Sequence, residues 1–236
     1  MAHYSSRSRL TAAIVSGGEP ALRENIGTPL RTFAPLGDAS ALRTNSDTTW
    51  SGDGQSIAYV VHDPKTLSDL WLLPLTGDRR ATPLRQSKAQ ENFPQLSPDG
   101  KWLAYASDES GANHIYVTSF PGGDGKWQVS TGGFGSFPRW RSDGKELFYL
   151  TGPGQGKVMS VDVNGSGSSF VAGRPAELFE PGTWGLLPPG HQAGFFPWAV
   201  SPDGQRFLMP QPVAGDKGSA TPTINVILNW TALLKQ

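Results

Sequence analysis

Short apolar runs divided by turn-forming residues recur along the chain at intervals of about 45 residues. Four stretches fall into register: TTWSGDGQSIAYV, FPQLSPDGKWLAYAS, FPRWRSDGKELFYLT and FPWAVSPDGQRFLMP. Each has a short apolar approach, an Asp-Gly pair, two polar or mixed positions and then an apolar run. The pairs Asp53-Gly54, Asp99-Gly100, Asp143-Gly144 and Asp203-Gly204 are 46, 44 and 60 residues apart. Asp-Gly suits a tight hairpin turn, because Gly reaches positive φ without steric cost and Asp bonds its own backbone. The runs that follow, Ile57 to Val60, Trp102 to Tyr105, Leu147 to Leu150 and Phe207 to Met209, are apolar without alternation. That pattern predicts strands covered on both faces.

A further strand is predicted in each unit: Asp69 to Leu73, His114 to Val117, Lys157 to Val161 and Thr223 to Leu228. Another follows as Arg80 to Leu84, Lys126 to Ser130 and Ala176 to Phe179, and the last unit shows none. Helical periodicity is absent apart from a single turn expected at Thr231 to Lys235. A period near 45 residues with four strands per unit is the signature of propeller blades. The expected fold is therefore all-β, a β-propeller of four-stranded antiparallel blades, with about four recognisable blades in a partial or open arc. Residues 45–236 carry the repeats. Residues 1–44 are expected to be a separate N-terminal segment, with material for one degraded blade in Thr11 to Val15 and Leu30 to Phe33. A truncated or partner-completed ring and a closed five-bladed ring both fit this count.

Composition narrows the function. Twenty basic and 20 acidic residues cancel, which argues against nucleic acid or an anionic membrane as partner, since both call for a basic face. With 29 Gly, 20 Pro and only 17% charged residues, the chain is cut by turns into short segments. No cysteine is present, so disulfides and thiolate chemistry are excluded, while the compartment stays open. No apolar run has the length of a membrane span, and the start, MAHYSSRSRLTAAIVSGGEP, makes a poor signal peptide.

At the turns the chain resembles the TolB-type, or PD40, branch of the WD40-like propellers, whose blade reads P-x-W-S-P-D-G, then an I-A-Y strand and an I-Y-V strand. Ser97-Pro98-Asp99-Gly100 and Ser201-Pro202-Asp203-Gly204 match in full; Ser51-Gly52-Asp53-Gly54 and Arg141-Ser142-Asp143-Gly144 are degenerate copies. Trp50 and Trp140 hold the Trp position, from which Leu96 and Val200 depart. The runs Leu70 to Leu75, Gly125 to Ser130 and Asn229 to Leu234 also resemble the propeller that follows the kinase domain in some bacterial serine/threonine kinases. That resemblance implies a sensory or interaction module, a kinase domain in a longer parent protein, and a periplasmic location if the parent is a membrane kinase. The chain itself has no V-A-I-K strand, H-R-D loop or D-F-G, so kinase chemistry does not carry over.

Candidate chemistry is sparse. Gly125-Lys126 and Gly156-Lys157 lack the P-loop's earlier Gly, having Phe120 and Thr151 there, and its following Ser or Thr, having Trp127 and Val158. Gly133 to Phe137 lacks the spacing of a G-x-S-x-G elbow. His3, His62, His114 and His191 are scattered without metal-ligand spacing, and Asp108-Glu109-Ser110-Gly111 offers too few ligands for a calcium loop. Trp50, Trp140 and Trp198 on first strands, and Trp71, Trp102 and Trp127 elsewhere, are expected to pack between sheets. Arg139-Trp140-Arg141 is the one place where charge flanks an aromatic on a strand expected to line the channel. It is a candidate cationic wall for a ligand, or else a pair of arginines in a wet tunnel. Loops at the channel mouth add Gln90-Glu91-Asn92, Phe134-Gly135-Ser136 and Asp108 to Asn113. The expected function is a non-catalytic scaffold or sensory module, not an enzyme. It would bind a protein, peptide or small ligand through Arg139, Trp140, Arg141, Asn92 and Ser136, with no metal and no cofactor. The alternative is a propeller-type hydrolase or the gating propeller of a prolyl oligopeptidase-like peptidase.

Overall fold

The computed structural model describes residues 48–152, 156–167, 169–181, 198–210 and 224–228, all within the compact unit Asn45–Gln236. The N-terminal segment 1–44 and the turn expected at Thr231 to Lys235 lie outside the described residues. Every regular element described is a strand. The first sheet orders β1 (Thr48–Trp50), β2 (Ser56–Asp63), β3 (Leu67–Pro74) and β4 (Thr82–Arg85). The second orders β5 (Glu91–Leu96), β6 (Trp102–Ser107), β7 (His114–Ser119) and β8 (Trp127–Gln128). The third contains β9 (Ser136–Trp140), β10 (Glu146–Leu150), β11 (Val158–Asn164) and β12 (Val171–Ala172), with β13 (Ala176–Phe179) also paired to β11. The fourth has β14 (Ala199–Val200), β15 (Arg206–Pro210) and β16 (Ile224–Leu228). All pairings are antiparallel and, apart from that of β13 with β11, join chain neighbours, so each sheet is built as a meander. Residues 171 and 172 were not expected to form a strand; β12 is an addition made by pairing to the end of β11 at Val163 and Asn164.

The Asp-Gly corners join the first two strands of each sheet. The turn starts at the residue two before Asp: the N–H of Gly54, Gly100, Gly144 and Gly204 donates to the carbonyl of Ser51, Ser97, Arg141 and Ser201 at 2.8–2.9 Å. Those four glycines have φ of 69–73°, the left-handed conformation that the turn demands. In three copies a Ser hydroxyl closes the corner. Ser97 Oγ donates to Asp99 at 2.6 Å and accepts the Trp102 N–H at 3.0 Å; Ser51 does the same with Asp53 and Ser56, and Ser201 with Asp203 and Arg206. In the third copy Arg141 takes that place, its guanidinium gripping both oxygens of Asp143 at 2.8 and 2.9 Å and Glu146 at 2.7 Å.

Apolar runs without alternation are explained by what covers each face. Along β6, Leu103 and Tyr105 pack with Ala58, Val60 and Leu70 of the first sheet, while Trp102, Ala104 and Ala106 pack with Leu147, Tyr149 and Val161 of the third. Along β10 the arrangement repeats: Phe148 and Leu150 face Trp198, Phe207 and Met209. The second strands β6 and β10 are thus pressed between two neighbouring blades. Indole N–H groups tie blades together. Trp140 Nε1 donates to Gln95 O at 3.0 Å, Trp198 Nε1 to Phe137 O at 3.1 Å and Trp102 Nε1 to Gly165 O at 2.9 Å. Trp50, at the register position of Trp140, is 53% exposed, against the expectation that it packs between sheets. It lies on the innermost strand of the first described sheet, and no indole bond to a preceding blade is among the described contacts.

Candidate functional site at the mouth of the blades

Two ends of the molecule differ in chemistry. At one end the Asp-Gly corners satisfy themselves and touch one another: Ser142 donates from N and Oγ to Pro202 O at 3.2 and 2.7 Å. The other end, where β5 and β9 begin and β2 and β6 finish, carries the β2–β3 and β6–β7 turns and the connections between blades. We call it the mouth. The predicted site residues are spread along the strands between the two. Asn92 and Ser136 sit at the mouth, opposite Ala106 and Leu150. Ser136 is buried, and its Oγ has no partner among the described residues. Arg139 and Trp140 lie farther down β9, with Arg139 donating to Trp198 O at 3.1 and 3.3 Å. Arg141 is at the opposite end, held by Asp143 and Glu146. Over five residues a strand advances about 16–17 Å, so Ser136 and Arg141 do not converge on one ligand.

The mouth has instead a shallow, open depression of about 330 Å³ lined by His62, Asp63, Pro64, Leu67, Ser68 and Gln90. The hairpin between β2 and β3 builds one wall. Asp63 accepts the N–H groups of Lys65 and Thr66 at 2.7 and 3.3 Å, which fixes the turn and holds its carboxyl below the usual range. Leu67 then takes φ of 72°, and its side chain is 46% exposed. A branched apolar residue in the left-handed region costs about 1–3 kcal/mol, a strain that clusters at ligand sites. The opposite wall is Gln90, pinned by Asp108 through N at 2.8 Å and Nε2 at 3.2 Å.

In sequence, Ser68 and Gln90 are followed by two buried acids, Asp69 and Glu91, fully and 97% shielded from solvent and not among the residues lining the cavity. Each has one oxygen satisfied. Thr66 Oγ1 donates to Asp69 Oδ2 at 2.6 Å, joined by Gln86 Nε2 at 3.3 Å, and Ser87 Oγ donates to Glu91 Oε1 at 2.7 Å. Asp69 Oδ1 and Glu91 Oε2 have no hydrogen-bond partner among the described residues. Burial pushes the Glu91 carboxyl up to about 7; the Ser87 bond opposes this, and the charges of Asp69, Glu109 and Asp108 reinforce it. Sequence reasoning placed Glu91 in a mouth loop without giving it a role, and passed over Asp69. The signal was a carboxylate set in the apolar run Leu67 to Leu73, where a solvated charge has no room.

Two contacts bring a Ser hydroxyl against a His ring. Ser68 Oγ meets His62 Nδ1 at 2.9 Å as a cross-strand pair of the first hairpin, and Ser130 Oγ meets His114 Nδ1 at 3.1 Å. Ser130 is 1% exposed and already accepts the Ile115 N–H at 2.9 Å, so it is spent on structure. Among the described residues no group of three or more His, Cys, Asp or Glu is arranged to hold a metal ion, and no helix is long and apolar enough to cross a membrane.

Architecture and corner chemistry together define a β-propeller fold, of which the described residues form a partial arc. TolB from Acinetobacter baumannii superposes with a TM-score of 0.56 at 18% identity, over 78% of this chain and 40% of that one. The tricorn protease gives 0.52 at 11% identity, over 78% and 21%. No protein-family model matches the chain. Among curated proteins, the uncharacterized peptidase YuxL of Bacillus subtilis is 29% identical over 131 residues, 53% of this chain and 20% of that protein. Tricorn protease homolog 1 of Streptomyces coelicolor is 33% identical over 99 residues, 42% of this chain and 9% of that protein. Dipeptidyl-peptidase 5 of Porphyromonas gingivalis is 27% identical over 117 residues, 44% and 17%. The chain thus spans a fifth or less of the length of these relatives. They correct one expectation outright: a protein whose curated relatives are named peptidases is not to be classed as a non-enzyme on the strength of missing motifs. A motif search over one propeller segment tests only that segment. The likeness to kinase-linked propellers remains a reading of the sequence alone.

Proposed function

We propose that this chain is the propeller module of a peptidase-type protein and that it receives peptides at its mouth. One observation carries the reading. The two ends of the blades are unlike: the Asp-Gly corners are closed on themselves, whereas the mouth has a cavity walled by a strained, exposed Leu67 beside polar groups. The named peptidases among its relatives support peptide as the ligand class. Such a surface would screen peptides by size and chemistry before they reach a catalytic group.

Fluorescence anisotropy with a fluorescein-labelled chymotryptic digest of casein tests this. Binding to the wild type is expected, with a marked loss in Leu67→Asn and none in Lys145→Glu at the opposite end. Asn is at ease in the left-handed region, so Leu67→Asn removes the apolar wall without harming the hairpin. No binding by the wild type, or equal loss in both variants, would sink the proposal.

A further inference from the structure

Away from the mouth, the end of β11 carries a reactive pair of residues. Asn164 closes that strand, and of the chain's asparagines only this one precedes a glycine, Gly165. Its exposed side chain is held by the next residue but one: the Ser166 N–H and Oγ–H both donate to Asn164 Oδ1, at 3.1 and 2.8 Å. A backbone N–H can only donate, so the atom held there is the carbonyl oxygen and not the amide nitrogen. Two donors on one carbonyl oxygen draw charge from Cγ and stabilise an oxyanion formed on it. Gly165 has no Cβ to hinder its own nitrogen, and no hydrogen bond from its N–H is among the described contacts. The Asp-Gly corners differ in both respects. They offer a carboxylate, ionised near neutral pH and a poor electrophile, and the N–H groups of Gly54, Gly100, Gly144 and Gly204 are spent on carbonyls. Gly165 is also a point of attachment between blades. Trp102 Nε1 donates to its carbonyl at 2.9 Å, and a Cβ built on Gly165 would lie 2.2 Å from that nitrogen. Trp102 itself is buried in the cluster that joins the second and third blades.

We infer that Asn164-Gly165 is a self-modification site, at which the folded chain converts its asparagine to aspartate and isoaspartate and so releases a tie between blades. The Gly165 nitrogen bonds to Asn164 Cγ, the Cγ–Nδ2 bond breaks, and the proton lost by the Gly165 nitrogen leaves with Nδ2 as ammonia. Water then opens the succinimide at either carbonyl. Ser166 is the positioning residue, because its two donors hold the electrophile and meet the charge that develops on Oδ1. Opening to isoaspartate routes the main chain through the former side chain and lengthens it by a methylene. Gly165 lies against the Trp102 indole with no room to spare, so that change breaks the bond from Trp102. Either product also adds a negative charge on the face of β11 that carries the exposed Asp162. The inference is independent of what binds at the mouth.

The test follows purified protein held in mildly alkaline buffer, by peptide mapping with mass spectrometry and by methylation with an isoaspartyl methyltransferase. Wild type, Ser166→Ala and Asn164→Gln are compared, folded and in urea. The folded wild type is expected to gain an acid at Asn164 ahead of every other asparagine. Asn164→Gln should stay unchanged at that position, because its ring needs one more atom to close. Ser166 is exposed, so Ser166→Ala leaves the packing intact; folded, it should convert about three- to ten-fold more slowly, the effect of one hydrogen bond lost at the transition state. In urea the two proteins should convert alike, since the held side chain is gone. Amide exchange then compares fresh with aged protein: β6 and β11 should exchange faster after conversion, and no faster in aged Asn164→Gln. Conversion confined to the urea-unfolded chain would show that the fold shields Asn164, and would overturn the inference. Equal rates for folded wild type and Ser166→Ala would overturn it as well, because the held oxygen would then count for nothing. Unaltered exchange in β6 after full conversion would overturn the release of the Trp102 tie.

Discussion

Ser97 illustrates how much one side chain does at a blade corner. It is 3% exposed, donates to Asp99 and accepts the buried N–H of Trp102. Ser97→Ala strands that N–H, and a buried donor left unpaired costs about 1–3 kcal/mol. A urea midpoint lowered by that free energy divided by the slope is expected, with the slope unchanged. Glu91 gives a second residue-scale outcome, in pH dependence. Its folded carboxyl is pushed up to about 7, above the ordinary glutamate value, by burial and by the charges of Asp69, Glu109 and Asp108. Between those two values the folded state holds the proton more tightly than the unfolded chain. This stabilisation is present at low pH and is lost as pH rises towards 7. Asp53, Asp63, Asp143 and Asp203, held below their usual range by hydrogen bonds, act the other way, and only at more acid pH. Subtracting the stability of Glu91→Gln from that of the wild type at each pH isolates the glutamate. The difference should decline from pH 5 to pH 7.5. A flat difference would mean that Glu91 titrates alike in both states.

At the scale of the element, the third corner shows that the turn tolerates a second chemistry. Arg141 replaces the Ser hydroxyl by a grip on Asp143 and Glu146. Burial raises the Glu146 carboxyl and the Arg141 charge counters it, whereas Asp143 is drawn down to about 2, chiefly by its bond to Arg141. Arg141→Ala removes both grips and supplies nothing. Arg141→Ser restores the hydroxyl closure of the other corners but leaves Glu146 without its partner. Chemical denaturation should therefore rank Arg141→Ala below Arg141→Ser by about 1 kcal/mol, the net worth of a hydrogen bond, and adding Glu146→Gln to Arg141→Ser should bring stability back towards wild type. Additive losses in that pair would contradict the coupling. Corners and second strands were legible in the sequence because they are written in contiguous residues: Asp-Gly, a Ser two positions before Asp, and an apolar run. β12 was not, since its two residues follow a Gly- and Ser-rich stretch and gain their pairing only from β11. Nor were the left-handed Phe93 and Phe137, whose inner strands shift register against β6 and β10. Both precede proline, which disfavours that neighbourhood of conformations. The mouth loops followed from strand order. The cavity within them did not, because its lining joins the β2–β3 hairpin of the first blade to Gln90, just before the first strand of the second.

At the scale of the whole molecule, stability is a chain of nearest-neighbour contacts. One apolar cluster joins the first and second blades, another the second and third, and a third the third and fourth. Phe148 and Phe207 meet edge to face at 5.4 Å in the last of these, and both are fully buried. Truncating a buried Phe to Ala costs about 3–5 kcal/mol. In an array whose units touch only their neighbours, that loss is confined to the interface it opens. Phe148→Ala should therefore speed amide hydrogen exchange in β10 and β15 while leaving β2 and β3 close to their wild-type protection. Leu70→Ala, in the cluster between the first two blades, should give the reverse pattern. Mass spectrometry of exchanged peptides resolves the two. If Phe148→Ala instead raised exchange equally in all sheets, the blades would open as one cooperative unit, and a ligand at the mouth between the first and second blades would then be felt throughout the arc.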